Sequence, residues 1–142
     1  MVIMGLDFGD ARTGIAVCDK YEMMASDAGC VRADSYKKML EAVAEKVRQH
    51  APALIVMGNP KNMDGTEGPR SQKCKAFAAE LEQLTGIAVV LYDERLTTVA
   101  AHKILSENNV RGKKRKDTVD SLSARLILED YLAVRKRKGE NA

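Results

Sequence analysis

Three carboxylates in this chain have settings that suggest chemistry. Asp7 lies inside the apolar run VIMGLDF and is followed by Gly9, Glu94 comes just after the apolar run IAVVLY in the segment DERLTT, and Asp120 stands in KDTVDSLSARLILEDYL, with Asp117 three residues before it. Burying an unpaired carboxylate costs several kcal/mol, so each needs a cation, a metal or hydrogen-bond donors close by. Oxygen donors of this kind suit a hard divalent ion, Mg²⁺ or Mn²⁺. Taken singly, each acid also has an ordinary role: Asp7 can form a turn with Gly9, Glu94 can pair with Arg95, and Asp120 can favour the positive end of a helix. Their joint placement carries more weight.

The elements that would position them follow from periodicity. Strands are expected at about residues 2–8 and 13–18 and, on a weaker pattern, at 23–32, as consecutive antiparallel strands. Alternation along the first puts Val2, Met4 and Leu6 on one face and Ile3, Gly5 and Asp7 on the other. SYKKMLEAVAEKVRQH has helical spacing behind a cap at Asp34 or Ser35 and stops before Pro52. ALIVMG is a short buried strand, the loop NPKNMDGTEGPR leads into a helix near 68–85 that Gly86 ends, IAVVLY is a further buried strand, and VAAHKILSEN is a short helix. After a linker-like stretch at 108–116, a final helix is expected from about Asp117 to Val134. On it, Asp120 shares an inward stripe with Ala124, Ile127, Leu128 and Tyr131. Three strands followed by alternating helices and strands imply an α/β fold, a mixed sheet with helices packed on it. Acids at two strand ends and one helix start then converge at the C-terminal edge of the sheet, where open α/β folds keep their sites.

Composition narrows the class. The 142 residues, 45% hydrophobic and 30% charged, suit one domain over 1–138 with a disordered tail at 139–142. Three cysteines without C-x-x-C spacing, and a start without signal-peptide order, indicate a reduced, cytoplasmic protein. No apolar stretch reaches the ~20 residues of a membrane span. The net charge of +3 is uneven: residues 111–142 carry +5 and residues 1–110 carry −2. Arg111, Lys113, Lys114, Arg115 and Lys116 form one basic cluster and residues 135–138 another. Either can meet a polyanion or be a solvated loop or tail.

GLDFGDARTGIAVCD, GNPKNMDGTEG, YDERLTT and KDTVDSLSARLILEDYL, in this order over nearly the whole chain, resemble the YqgF/RuvX family of Holliday-junction-resolvase-type nucleases. The resemblance implies a ribonuclease H-like fold with a five-stranded mixed sheet, three antiparallel strands first and parallel strands after. It also implies a divalent-metal site built by acids of the first strand, the fourth strand's end and the last helix, positions filled by Asp7, Glu94 and Asp120, with Asp117 as an auxiliary ligand. Mg²⁺ or Mn²⁺ held there activates water and polarises a phosphoryl group. The implied role is 5′-end processing of precursor 16S ribosomal RNA, which brings a ribosomal particle in as partner. Branched-DNA cleavage is the alternative within the enzyme class, and a non-catalytic RNA-binding factor is the alternative outside it. The protein acts as a monomer or a homodimer, two active sites suiting junction cleavage. An ATP-binding actin-like lobe, suggested by Gly5-x-Asp7-x-Gly9, lacks room for a second lobe.

The backbone of the nucleic acid would meet Arg12, Asn62, Arg70, Arg95, Lys113, Lys114, Arg115 and Lys116, with Thr97 and Thr98 and the amides near Gly65 and Gly68 as further donors. Turn formation by Asn62, Gly65 and Gly68 and capping by the threonines are the ordinary alternatives. His50 and His102 stand in no catalytic arrangement, and the four tyrosines make no stacking platform.

Overall fold

A computed structural model of the chain describes residues 1–96 and 113–139, and the side chains of 1–95 and 122–139. Five strands, β1 (Ile3–Asp7), β2 (Arg12–Cys18), β3 (Ala25–Arg32), β4 (Leu54–Asn59) and β5 (Val89–Asp93), form one sheet in the order β3-β2-β1-β4-β5. β1 pairs antiparallel with β2, and β2 with β3. β4 joins β1 in parallel, and β5 joins β4 in parallel. This is the expected mixed sheet. In chain order Glu94 follows the fifth strand, not the fourth, and opens a 3₁₀ turn, Glu94–Leu96.

Helix α1 (Tyr36–His50) and helix α2 (Pro69–Thr85) cover one face of the sheet, and helix α3 (Lys113–Arg137) covers the other. Of the two caps offered by the sequence for α1, Ser35 is used: its side chain accepts the Lys38 N–H at 3.2 Å. Ala51 ends α1 in the left-handed region, where the following Pro52 disfavours further helix. Pro69 opens α2 and Gly86, at φ 73°, closes it.

β1 is buried along its whole length, as a central strand must be. Met4 and Leu6 pack with Val43 and Phe77 under α1 and α2, while Ile3 packs with Ala124, Ile127 and Leu128 of α3. The alternation read from the sequence therefore puts Asp7 on the α3 face.

The last helix begins at Lys113, four residues before the expected Asp117, and runs three residues past Val134. Lys113, Lys114, Arg115 and Lys116 are thus helical and not part of a linker. A charge run without apolar periodicity reads as loop, yet Lys and Arg are good helix formers, and no Gly or Pro interrupts 113–138. The helix expected at VAAHKILSEN, together with Thr97, Thr98, His102, Arg111 and the tail residues 140–142, lies outside the described residues.

Candidate metal centre

Because β1, β4 and β5 run in parallel, their C-terminal ends lie side by side. β1 and β4 pair through Leu6 and Met57, and β4 and β5 through Gly58 with Tyr92 and Asn59 with Asp93. Asp7 ends β1 and is 5% exposed; Glu94, one residue beyond β5, is 7% exposed. Alternation puts Tyr92 and Glu94 on the α3 face with Asp7. Tyr92 stacks edge-on against Tyr131 of α3. Asp93 falls on the opposite side.

Gly58 shows where the Glu94 side chain goes. A Cβ at this position would fall 2.6 Å from Glu94 Oε1 and 2.7 Å from Ile127 Cδ1. The Glu94 carboxylate therefore lies in a hollow over β4 that only glycine leaves open, roofed by α3. β4 is the immediate neighbour of β1, and adjacent strands are about 4.8 Å apart. Two buried carboxylates are brought to one face of two neighbouring strand ends. Their oxygens and the hollow that holds one of them fit a hard divalent ion.

The direction of α3 bears on the third acid. A Cβ on Gly5 would meet Ala124 O and Leu128 Cβ, each at 2.9 Å, so the helix crosses β1 in close contact there. Its C-terminal end lies at the opposite edge of the sheet, where Arg135 pairs with Glu22 and Glu22 also meets the Met1 ammonium. α3 therefore runs antiparallel to β1. One helical turn back from Ala124, about 6 Å, matches the two-residue step of about 6.6 Å from Gly5 to Asp7. The turn holding Asp120, preceded by Asp117, heads to the level of Asp7; the side chains of both lie outside the described residues. Among the described residues no three His, Cys, Asp or Glu side chains form a metal-binding group.

Loops at this edge are held by side chains from neighbouring elements. Arg70 Nη2, at the start of α2, donates to the Phe8 carbonyl at 3.2 Å, and Lys73 pairs with Asp10, whose carboxyl it holds below the usual range. The segment that follows Asp7 is thus tied to α2. Ser71 Oγ donates to the buried Asn59 Oδ1 at 2.6 Å and fixes α2 against the end of β4. In the 59–68 loop, Asn62 N–H donates to the Thr66 carbonyl at 2.9 Å, Asn62 Nδ2 to Thr66 Oγ1 at 2.9 Å, and Thr66 Oγ1 to Asp64 Oδ1 at 2.6 Å. Asn62 and Gly65, at φ 89°, make the turn. Arg95 bonds to Asp93, and its guanidinium holds that carboxyl below the usual range.

Arg12 opens β2 on the α3 face, by alternation with the buried Thr13, and its cross-strand partner is Arg32. Directly opposed like charges disfavour a sheet, so this pair stands out beside Asp7. Neither Arg32 nor Asp93 nor Gly58 was singled out from sequence. Arg32 needs the β2/β3 register, whereas period-two alternation through LYDE is enough to separate Asp93 from Glu94. Lys113 to Lys116 occupy the first turn of α3, on the side of the molecule toward which Asp120 lies; their side chains are outside the described residues. Among the described residues no helix is long and apolar enough to cross a membrane.

A protein of Carboxydothermus hydrogenoformans named "Putative pre-16S rRNA nuclease" is 42% identical over 132 residues, covering 93% of this chain and 96% of its own. One of the same name from Thermoanaerobacter pseudethanolicus is 40% identical over 139 residues, covering 97% and 100%. Among solved structures, the RuvC of Thermus thermophilus in complex with a Holliday junction substrate superposes with a TM-score of 0.60 at 12% identity, covering 96% of both chains. The fowlpox virus Holliday junction resolvase superposes at 0.55 and 17% identity, covering 94% and 99%. The fold is the ribonuclease H-like one these resolvases share. The model of the RuvX family, described as Holliday junction resolvase, matches residues 1–134. With buried acids at the end of the first strand and just past the fifth, and with relatives aligned over nearly their full length, the chain belongs to the RuvX family.

Proposed function

We propose that this protein is a divalent-metal-dependent nuclease that hydrolyses phosphodiester bonds in the 5′-end processing of precursor 16S ribosomal RNA, in the cytoplasm and on a ribosomal particle. One observation carries the chemistry: Asp7 at the end of β1 and Glu94 just past β5 are buried on the same face of the sheet, and Gly58 of the intervening β4 leaves the hollow that the Glu94 carboxylate fills. The names of the full-length relatives support the RNA.

In this reading Asp7, Glu94 and Asp120 hold Mg²⁺ or Mn²⁺, with Asp117 as an auxiliary ligand. When bound, such an ion lowers the pKa of a water and stabilises charge on the phosphoryl oxygens. The chain's own residues do the rest. Gly58 and Ile127 confine the Glu94 carboxylate, and Arg70 and Lys73 keep the segment after Asp7 in place. The Arg12 and Arg32 pair, Asn62 and the Lys113 to Lys116 turn receive the phosphate backbone. Arg70 joins them through the part of its guanidinium that does not hold the Phe8 carbonyl. These contacts neutralise phosphates without reading bases.

The test compares cleavage of precursor 16S ribosomal RNA, single-stranded RNA and a four-way DNA junction by wild type and Asp7→Asn across a Mg²⁺ titration. Mg²⁺-dependent cut sites at the 5′ end of the precursor, lost in the variant, are expected. Preferred cleavage of the junction, to which the family description points, would move the assignment to branched DNA and call for a homodimer with two sites. Tight RNA binding with no cleavage at any Mg²⁺ concentration would make the protein a non-catalytic factor.

A further inference from the structure

Arg95 follows Glu94 directly, and its side chain turns back on the chain. Nη2 donates to Asp93 Oδ2 at 2.7 Å, and Nε lies 3.1 and 3.2 Å from the two Asp93 oxygens. The Arg95 backbone N–H donates to Asp93 Oδ1 at 2.9 Å, which caps the 3₁₀ turn that Glu94 opens. A further arm, Nη1, donates to the Met63 carbonyl at 3.3 Å, and a Cβ on Gly65 would meet that nitrogen at 3.4 Å. The Asp93–Arg95 bonds thus close a ring that spans Glu94, and the same guanidinium ties the 59–68 loop to it through Met63.

We propose that Arg95, with Asp93, is a positioning residue: the pair fixes the backbone at Glu94 so that its carboxylate stays over Gly58, and locks the Asn62 to Thr66 turn beside it, in place of a direct phosphate contact by Arg95. This rests on the metal-site reading above. A planar fork on a carboxylate is rigid in a way a single ammonium contact is not. Residues that orient a metal ligand typically change metal affinity about 10- to 100-fold when removed.

The experiment uses the full chain with Mn²⁺ as the probe, titrated without nucleic acid and followed by the electron paramagnetic resonance of free Mn²⁺. Arg95→Ala and Asp93→Asn should each weaken Mn²⁺ binding about 10-fold or more, and the double variant should lose no more than either single one, because the two residues act as one unit. Arg95→Lys keeps the charge but not the fork, and should recover little of the affinity. Amide exchange at Asn62 to Thr66 should quicken in both single variants. Binding of a single-stranded RNA oligonucleotide in EDTA, and its salt dependence, should change by no more than the loss of the Asn62 contact, and to the same degree in Arg95→Ala and Asp93→Asn.

The opposite pattern overturns the proposal: Mn²⁺ affinity and amide exchange unchanged in Arg95→Ala, with weaker RNA binding and a shallower salt slope absent from Asp93→Asn. That would make Arg95 a phosphate contact. Wild-type protein that binds no Mn²⁺, or binds it equally well as Asp7→Asn, would sink the metal-site reading. In that case the brace itself still stands or falls on the amide exchange of residues 62–66.

Discussion

At the scale of single residues, the proposed metal site rests on Asp7, Glu94 and Asp120 and on the side chain that Gly58 lacks. Asp7→Asn, Glu94→Gln and Asp120→Asn should each remove most cleavage and most Mn²⁺ binding while circular dichroism stays native, since an amide keeps the shape and loses the charge that binds the ion. Without metal, relief of repulsion between converging carboxylates should leave these variants as stable as wild type or more so, which thermal melts in EDTA can check. Wild-type turnover in any one at saturating Mg²⁺ would remove that residue from the site. Gly58→Ala makes a sharper test, because the new methyl contests the space of Glu94 Oε1 and Ile127 Cδ1, at 2.6 and 2.7 Å. Overpacking of this kind costs about 1–3 kcal/mol. The side chain nearest the new methyl is the proposed ligand, so Mn²⁺ affinity should fall further than the urea midpoint suggests. A Gly58→Ala protein with native Mn²⁺ affinity would show that the hollow does not set the carboxylate.

At the scale of elements, the far end of α3 is held by a partly buried ion pair. Arg135 Nε donates to Glu22 Oε1 at 2.7 Å, the Met1 ammonium meets Glu22 Oε2 at 3.2 Å, and the Arg135 and Glu22 side chains are 11% and 6% exposed. Glu22 also holds a left-handed backbone, at φ 59°, in the turn between β2 and β3. The Arg135 guanidinium, helped by the ammonium, keeps its carboxyl below the usual glutamate range despite burial. A lowered folded pKa means that this contribution is complete above the unfolded value of about 4.3 and is lost as pH falls through the folded value. Arg135→Gln should therefore cost about 3 kcal/mol at neutral pH, the low end for breaking a buried pair because the ammonium remains. The gap from wild type in urea unfolding should shrink below about pH 4; a gap independent of pH would mean that packing, not charge, holds the helix end. Nothing in YEMM or RKRK announces this pair, which joins residues 113 positions apart. The face of Asp7, by contrast, was legible because a strand's period of two is local. So was the placement of Glu94 just past an apolar run. The Gly58 hollow, the Arg95 contact with Met63 and the Arg12–Arg32 pairing depend on tertiary register, which local pattern does not encode, whereas the Asp93–Arg95 fork is local and the sequence offered Glu94 in its place as the partner of Arg95. The helical start at Lys113 was hidden by a charge run with no apolar rhythm.

At the scale of the whole molecule, the excess positive charge is carried on α3, and the two ends of that helix are not equivalent. Its 25 residues span about 37 Å. The antiparallel crossing of β1 puts the Lys113 to Lys116 turn toward the carboxylates and residues 135–138 toward the opposite edge. Basic residues in the last turn complement the helix dipole, so Lys136, Arg137 and Lys138 have a local reason to be there. In the first turn the dipole opposes Lys113, Lys114, Arg115 and Lys116, so their presence calls for another reason, and a polyanion drawn to the site supplies one. Replacing Lys113, Lys114 and Arg115 by Gln should accordingly leave stability unchanged or raise it by about 0.3–1 kcal/mol. The same variant should weaken binding of unrelated RNA sequences to a similar degree and shallow the salt dependence by about 0.7 for each phosphate of a single strand that is no longer neutralised. Mn²⁺ binding should change little. The matched replacement of Lys136, Arg137 and Lys138 should do the reverse, lowering stability slightly and leaving the salt slope alone. Fluorescence anisotropy of a labelled RNA oligonucleotide across a salt series measures both variants. Equal slopes for the two triple variants would show that RNA does not distinguish the ends of α3, and would shift the phosphate track to Arg12, Arg32 and Arg70 at the strand ends.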